Sequence, residues 1–268
     1  MAGKKAIVTT DPYTDVALWN LSADGGTDGQ ALKDRAVMVK DDEGNWNRAK
    51  LVSEEYQLVH NGLVRDVVDD VCTRSGDQFG YAWEEMKTIW NGKSSARFMK
   101  SVDPVVEISN GHKHPLHIGF MARNSYDLTS SFSLEFFAVN GYCTNEFHAR
   151  NLFGFYTMRH INGNGGWDVT DACMNVGESA QRLIEVAPRI KQLSEQPMTI
   201  DVLTEAKKNV NIPDSYWGKV IDRLAGEDNN KFGLFQALTA VTTHDMKGFG
   251  ALRSGDSVGE YFLNFSGN

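Results

Sequence analysis

Three apolar stretches, Leu116–Asn124, Ser131–Val139 and Phe155–Ile161, carry β-branched and aromatic residues between turn formers. Runs of this length and composition favour strands over helices. An Asn-Ser-Tyr-Asp turn (Asn124–Asp127), a Cys-Thr-Asn corner (Cys143–Asn145) and a short connection holding His148 and Arg150 link them, so they are expected to neighbour one another in a sheet. Upstream, Arg35–Lys40 and Asn45–Val52 flank the hairpin signal Asp41-Asp42-Glu43-Gly44. Trp83–Trp90 and Ser94–Val102 flank Asn91-Gly92, the strongest short turn in the chain. Neither face of this second hairpin is cleanly apolar, so it is expected to protrude or to meet a partner. A short strand is expected at Val105–Ser109. Between the two hairpins Leu63, Val64, Val67, Val68 and Val71 recur at helical spacing, with Asn61 as the expected N-cap and Gly76 as the close.

From Trp167 the period changes. A helix capped by Asp168 or Thr170 is expected to run to about Leu193, followed by helices at Ile200–Val210, Pro213–Ala225 and Lys231–Met246. Sheet first and helices after is the α+β order: a mostly antiparallel central sheet in the first 160 residues, covered by helices from the C-terminal half. The expected organisation is a flexible arm over 1–34, glycine-rich at Asp24–Gly29, and one α+β domain over 35–246 (sheet 35–161, helices 168–246). A tail over 247–268 follows, its end docked by Tyr261, Phe262 and Phe265.

Composition is that of an ordinary globular chain: 268 residues, 41% hydrophobic and 23% charged. The net charge of −8 argues against general stickiness for nucleic acid or membrane but leaves local patches open. Cys72, Cys143 and Cys173 are odd in number and widely spaced, the pattern of reduced thiols. Met1–Thr10 lacks a signal-peptide core, and no run approaches the roughly 18 apolar residues of a membrane span. A cytoplasmic protein, in a host cell if viral, is expected.

One local patch stands against the overall charge. Between Met86 and Arg123, Lys87, Lys93, Arg97, Lys100, Lys113 and Arg123 face only Asp103 and Glu107, and Trp83, Trp90, Phe98, Phe120 and Tyr126 interleave with them. Cations that follow phosphates and rings that stack on bases are what a single-strand binder needs. Lys93, Arg97, Lys100, Arg123 and Arg159 are the expected phosphate contacts, with Trp90 and Tyr126 for stacking. The competing reading puts those rings in the core and the lysines on an ordinary solvated hairpin. His112, His114 and His117 form the densest histidine cluster and define the alternative, a metal-dependent hydrolase or nuclease. His148-Ala-Arg150 and Arg159-His160 are a third cluster, in which strand alternation points Arg159 and His160 to opposite faces. Asn124, Ser125 and Asp127 read most simply as side chains satisfying turn backbone. Asn162–Gly166 is glycine-rich but lacks the Gly-Lys-Ser/Thr of a phosphate loop.

Several of these stretches together carry a resemblance. Arg35–Val39 with Leu51–Val59, Ala122–Asp127, Asn145 after Cys143, Arg159-His160 and Phe235–Thr242 follow in the order seen in a phage/plasmid-like protein family grouped as a domain of unknown function. Members show an Asn-Ser-His-Asp-Gly turn, where this chain has Tyr126 for the histidine and Leu128 for the glycine. The resemblance implies a viral or mobile-element gene and transfers no activity. The expected function is therefore a single-stranded nucleic-acid-binding protein, annealing strands as a homo-oligomer without metal or other cofactor. A viral structural or host-interaction protein is the third reading.

Overall fold

In a computed structural model, described for residues 11–22, 31–109, 113–158 and 169–263, the three apolar runs do lie side by side. The chain order is β1 (Val16–Ser22), β2 (Ala31–Lys40), β3 (Trp46–Ser53), α1 (Asn61–Phe79), β4 (Trp83–Trp90), β5 (Ser94–Ser101) and β6 (Val106–Ser109). Then come β7 (Lys113–Ser125), β8 (Phe132–Asn140), β9 (Glu146–His148), α2 (Arg150–Phe153) and β10 (Phe155–Met158). The helical half holds α3 (Val169–Leu193), α4 (Ile200–Asn209), α5 (Trp217–Leu224), α6 (Lys231–Ala240), a π-turn at Val241–Asp245 and α7 (Phe249–Leu263). No helix among the described residues is long and apolar enough to cross a membrane.

The large sheet is antiparallel and ordered β10-β8-β7-β5-β4, with β9 extending the β10 edge of β8 and β6 extending the β5 edge of β7. Every residue of β8 is buried, which is why its sequence is a continuous apolar run without alternation. Helices cover both faces. On one, Met99, Phe120, Ala122, Leu134, Phe136 and Ala138 share a core with α1 and α3. On the other, Ala96, Phe98, Met121, Phe137 and Val139 lie under Leu252 and Phe249 of α7. The fold is the expected α+β.

Several local expectations need correction. The β4–β5 hairpin does not protrude: β5 pairs with β7 inside the sheet, and the register shift between Glu85 and Lys87 mixes the two faces of β4 in sequence. The N-terminal stretch is not wholly an arm. β1 joins β2 and β3 in a separate three-stranded sheet whose Val16, Val37, Val39 and Val52 pack on Tyr56 and Tyr126. Asp24–Gly29 lies outside the described residues. Asn61 does not cap α1. Its side chain binds the Pro12 carbonyl at 2.5 Å, Ser95 Oγ at 3.0 Å and Asn124 Nδ2 at 3.0 Å, tying helix to sheet. α1 runs past Gly76 to Phe79; Gly76 is small because a Cβ there would sit 3.0 Å from the Tyr81 carbonyl, and the left-handed residue is Gly80, at φ 76°. The expected tail is α7.

The turn after β7 bears on the resemblance. Ser125 Oγ bonds Ser130 on both backbone groups, and Asp127 Oδ1 accepts from Thr129 N–H and hydroxyl, so these two side chains satisfy the turn; Asn124 does not, its Nδ2 donating instead to the Val59 carbonyl at 2.9 Å and to Asn61 Oδ1 at 3.0 Å. Leu128 sits at φ 63°, where glycine is at ease and leucine is strained. Its side chain is 44% exposed, so little burial offsets the strain. Leu128→Gly is expected to gain about 0.5–1 kcal/mol, the left-handed penalty less the extra chain entropy of glycine, and urea unfolding checks it.

Candidate functional site

Above the face of the sheet covered by α7, three titratable side chains meet. Glu146, on β9, is 3% exposed; its Oε2 lies 3.0 Å from His148 Nε2 and its Oε1 is ion-paired with Lys87 of β4. Residues two apart on a strand share a face, which is how Glu146 and His148 come together. The small residues beneath them set the depth. Gly119 leaves room for the Phe137 ring, which would lie 2.7 Å from a Cβ there, and the His148 ring stacks on Phe137 at 4.7 Å. From above, Gly255 and Gly259 of α7 close on the same histidine. A Cβ on Gly255 would stand 3.2 Å from His148 Cδ2, and one on Gly259 would overlap the His148 carbonyl oxygen.

Burial alone would raise the Glu146 carboxyl, but the hydrogen bond and charge of His148 and the Lys87 ammonium outweigh it and hold the group below its ordinary value. The Lys87 ammonium also rests 4.4 Å from the Phe98 ring centroid.

Two cavities meet at this cluster, and Lys87, Glu146 and Thr243 line both. The first, about 200 Å³, continues past His148 to Met246, Lys247 and the first turns of α7. The second, about 340 Å³, is more open and is lined further by Met86, Lys100, Thr144 and His244. The π-turn supplies much of the wall. Thr243 Oγ1 accepts from the Glu146 N–H at 3.0 Å, and His244 Nε2 lies 3.0 Å from Asn145 Oδ1. Single π-turns inside helical segments recur at functional sites. Thr144, a β-branched residue at φ 56°, is a second outlier on the same wall. Lysines 87, 100 and 247 face this space against Glu146, with Glu84 2.6 Å from Lys100 at the rim.

The residues singled out from sequence do not gather on one open face, because alternation divides them and helices cover both sides. Arg97 points toward α1, 2.9 Å from Asp69 and 2.9 Å from Glu85. Lys100, three residues on, points to the opposite face and joins the cleft. Arg123 is 6% exposed with its guanidinium 4.4 Å from the Phe249 ring. Lys93 is half-buried in the β4–β5 turn, where its carbonyl accepts from Tyr126 N–H at 2.7 Å. Tyr126 is 1% exposed, its hydroxyl accepting from the Asn61 N–H at 2.9 Å, and Trp90 packs edge-on to it at 6.2 Å. A ring sealed this way offers no face to a base.

The histidine cluster is likewise dispersed. His114 lies 3.1 Å from Asn140 Nδ2 and 5.1 Å from the Phe232 ring, whereas buried His117 contacts the Ser101 carbonyl at 2.9 Å. No group of three metal-ligating side chains forms among the described residues. His112, Arg159 and His160 lie outside them. Of the third cluster, His148 is in the cleft. Arg150 instead grips Glu135 with two bonds of 2.8 Å and contacts Asp256 at 3.3 Å.

Comparison with models of known protein families, with curated proteins and with solved structures found no match. The functional reading rests on the chemistry of the cleft itself.

Proposed function

We propose that the cleft is a small-molecule site that holds an anionic group on its lysines and moves a proton through Glu146 and His148. The observation that carries this reading is a buried carboxylate, bonded to an imidazole and an ammonium, at the junction of two cavities. Enclosed clefts lined by apolar walls and a few convergent polar groups are the usual form of ligand sites, and a carboxylate-oriented histidine is the usual pairing for general acid–base work. Met86, Ile89, Ala251 and Leu252 supply the apolar wall. Lys100 and Lys247 stand where an anion would enter.

The same two lysines support a second reading, the nucleic-acid binding expected from sequence, with a single strand passing along the cleft mouth rather than stacking on Trp90 and Tyr126. Calorimetric titration with phosphorylated and carboxylated small molecules, beside a short oligothymidylate, tests both. Saturable binding of a small anion, weakened at least about tenfold in the Lys100→Ala/Lys247→Ala double variant, is the expected result; two lost cation contacts at about 0.7 kcal/mol each give that factor. Binding of the oligonucleotide alone, with a steep loss as salt rises, would favour the second reading. No response to any probe at millimolar concentration would overturn both.

A further inference from the structure

The seventh helix also covers an arginine that has neither a side-chain hydrogen bond nor an ion pair among the described residues. Arg123 lies in the middle of the sheet, in a cross-strand row running Ile89, Ala96, Arg123, Ser133. It is 6% exposed, its Nε makes no hydrogen bond, and it forms no ion pair among the described residues. The nearby carboxylates are taken: both oxygens of Glu135 are held by Arg150, and Asp127 accepts from Thr129. Arg150 and Arg253 add positive charge from the sides. Arg253 is exposed and unpaired among the described residues, and it follows Phe249 by one helical turn, so it projects from the same side of α7 as the ring that covers Arg123. The first turn of this 15-residue helix carries no acidic side chain to offset its positive end.

A guanidinium cannot shed its charge as a buried lysine or histidine can, and a buried charge without a counter-ion is costly. An unsatisfied group of this kind calls for a partner that the described residues do not supply. We infer that Arg123 and Arg253, at the N-terminal end of α7, form a binding site for a phosphate-type oxyanion, separate from the lysine cleft. Two guanidinium forks and a helix N-terminus match the planar, bidentate recognition that such oxyanions favour. The Phe249 ring, 4.4 Å from the Arg123 guanidinium carbon, covers it on one side.

The test is thermal unfolding of the full chain in rising inorganic phosphate at constant ionic strength, with chloride as the balancing salt. Wild type is expected to gain a few degrees in Tm and to saturate. Arg123→Met should lose this response while keeping a phosphate-free Tm at or above wild type, since it removes a buried unpaired charge. Arg253→Ala, an exposed position that leaves the fold intact, should shift the midpoint about tenfold to higher phosphate, the effect of one charge-assisted hydrogen bond of about 1.4 kcal/mol. The loss caused by Arg123→Met should recur on the Lys100→Ala/Lys247→Ala background, where the cleft lysines cannot answer for a phosphate response, which separates this site from the cleft. Arg123→Met matching wild type in its response, or Arg253→Ala leaving the midpoint unmoved, would overturn the assignment. So would a phosphate response no larger than that of chloride, which would mean an adventitious ion only.

Discussion

Replacing Gly259 with alanine is expected to cost about 3 kcal/mol or more, at the upper end of what overpacking does. The added methyl would occupy the position of the His148 carbonyl oxygen, a backbone atom that cannot swing aside as a side chain can. α7 must then lift off β9, taking Val258, Phe262 and Leu263 out of the core they share with the helical half. Gly255→Ala should be milder, because its neighbour is the His148 ring at 3.2 Å. Gly250→Ala is the control: nothing lies within 4 Å of its Cβ, and alanine is the better helix former by about 0.5–1 kcal/mol. Chemical denaturation of the three variants gives the ranking. Equal stability of Gly259→Ala and wild type would contradict the seating of α7 described above.

Glu146→Gln is the second large effect. It leaves the Lys87 ammonium and His148 without the carboxylate that both contact, and removing one partner of a buried pair typically costs about 3 kcal/mol. Adding Lys87→Met to that variant should recover part of the loss, with a coupling above about 1 kcal/mol in the double-mutant cycle. The pH dependence has a definite sign. Because the Glu146 carboxyl is held below its ordinary value of 4.5, its stabilisation is present above that value and is lost as pH falls through the depressed one. The gap between wild type and Glu146→Gln should therefore be widest near neutrality and narrow under acid. A gap that stays constant from pH 7 down to pH 3 would show that Glu146 does not titrate as a paired carboxylate.

How far the sequence could be read depended on whether a residue's neighbours were local. The central strands were legible because both their faces are buried and the chain there is apolar without interruption. β1 was not, since Asn20 interrupts its short apolar run and its partner strand lies across a glycine-rich stretch. α7 is masked in the sequence by Gly250, Gly255 and Gly259, which lower helix propensity; two of them are the positions where the helix meets His148 of β9. At the site, strict alternation was a usable signal in two places. It separates Arg97 from Lys100, which rules out one shared groove, and it pairs Glu146 with His148. Lys87, Thr243 and Lys247 carried no such mark, because only the tertiary fold brings β4 and the π-turn against β9. The burial of Tyr126 is what the competing reading of the rings expects; the sequence leaves unread only what buries it, a small sheet that includes β1.

The seating of α7 on β9 has a consequence for how the molecule is made. Phe249–Leu263 follows every strand in chain order, yet it roofs the histidine, flanks the smaller cavity and shields Arg123. Until that segment emerges, the nascent sheet presents Phe98, Met121 and Phe137 to water. A product halted before residue 249 would thus leave that apolar face bare and the His148 side of the cleft without its roof.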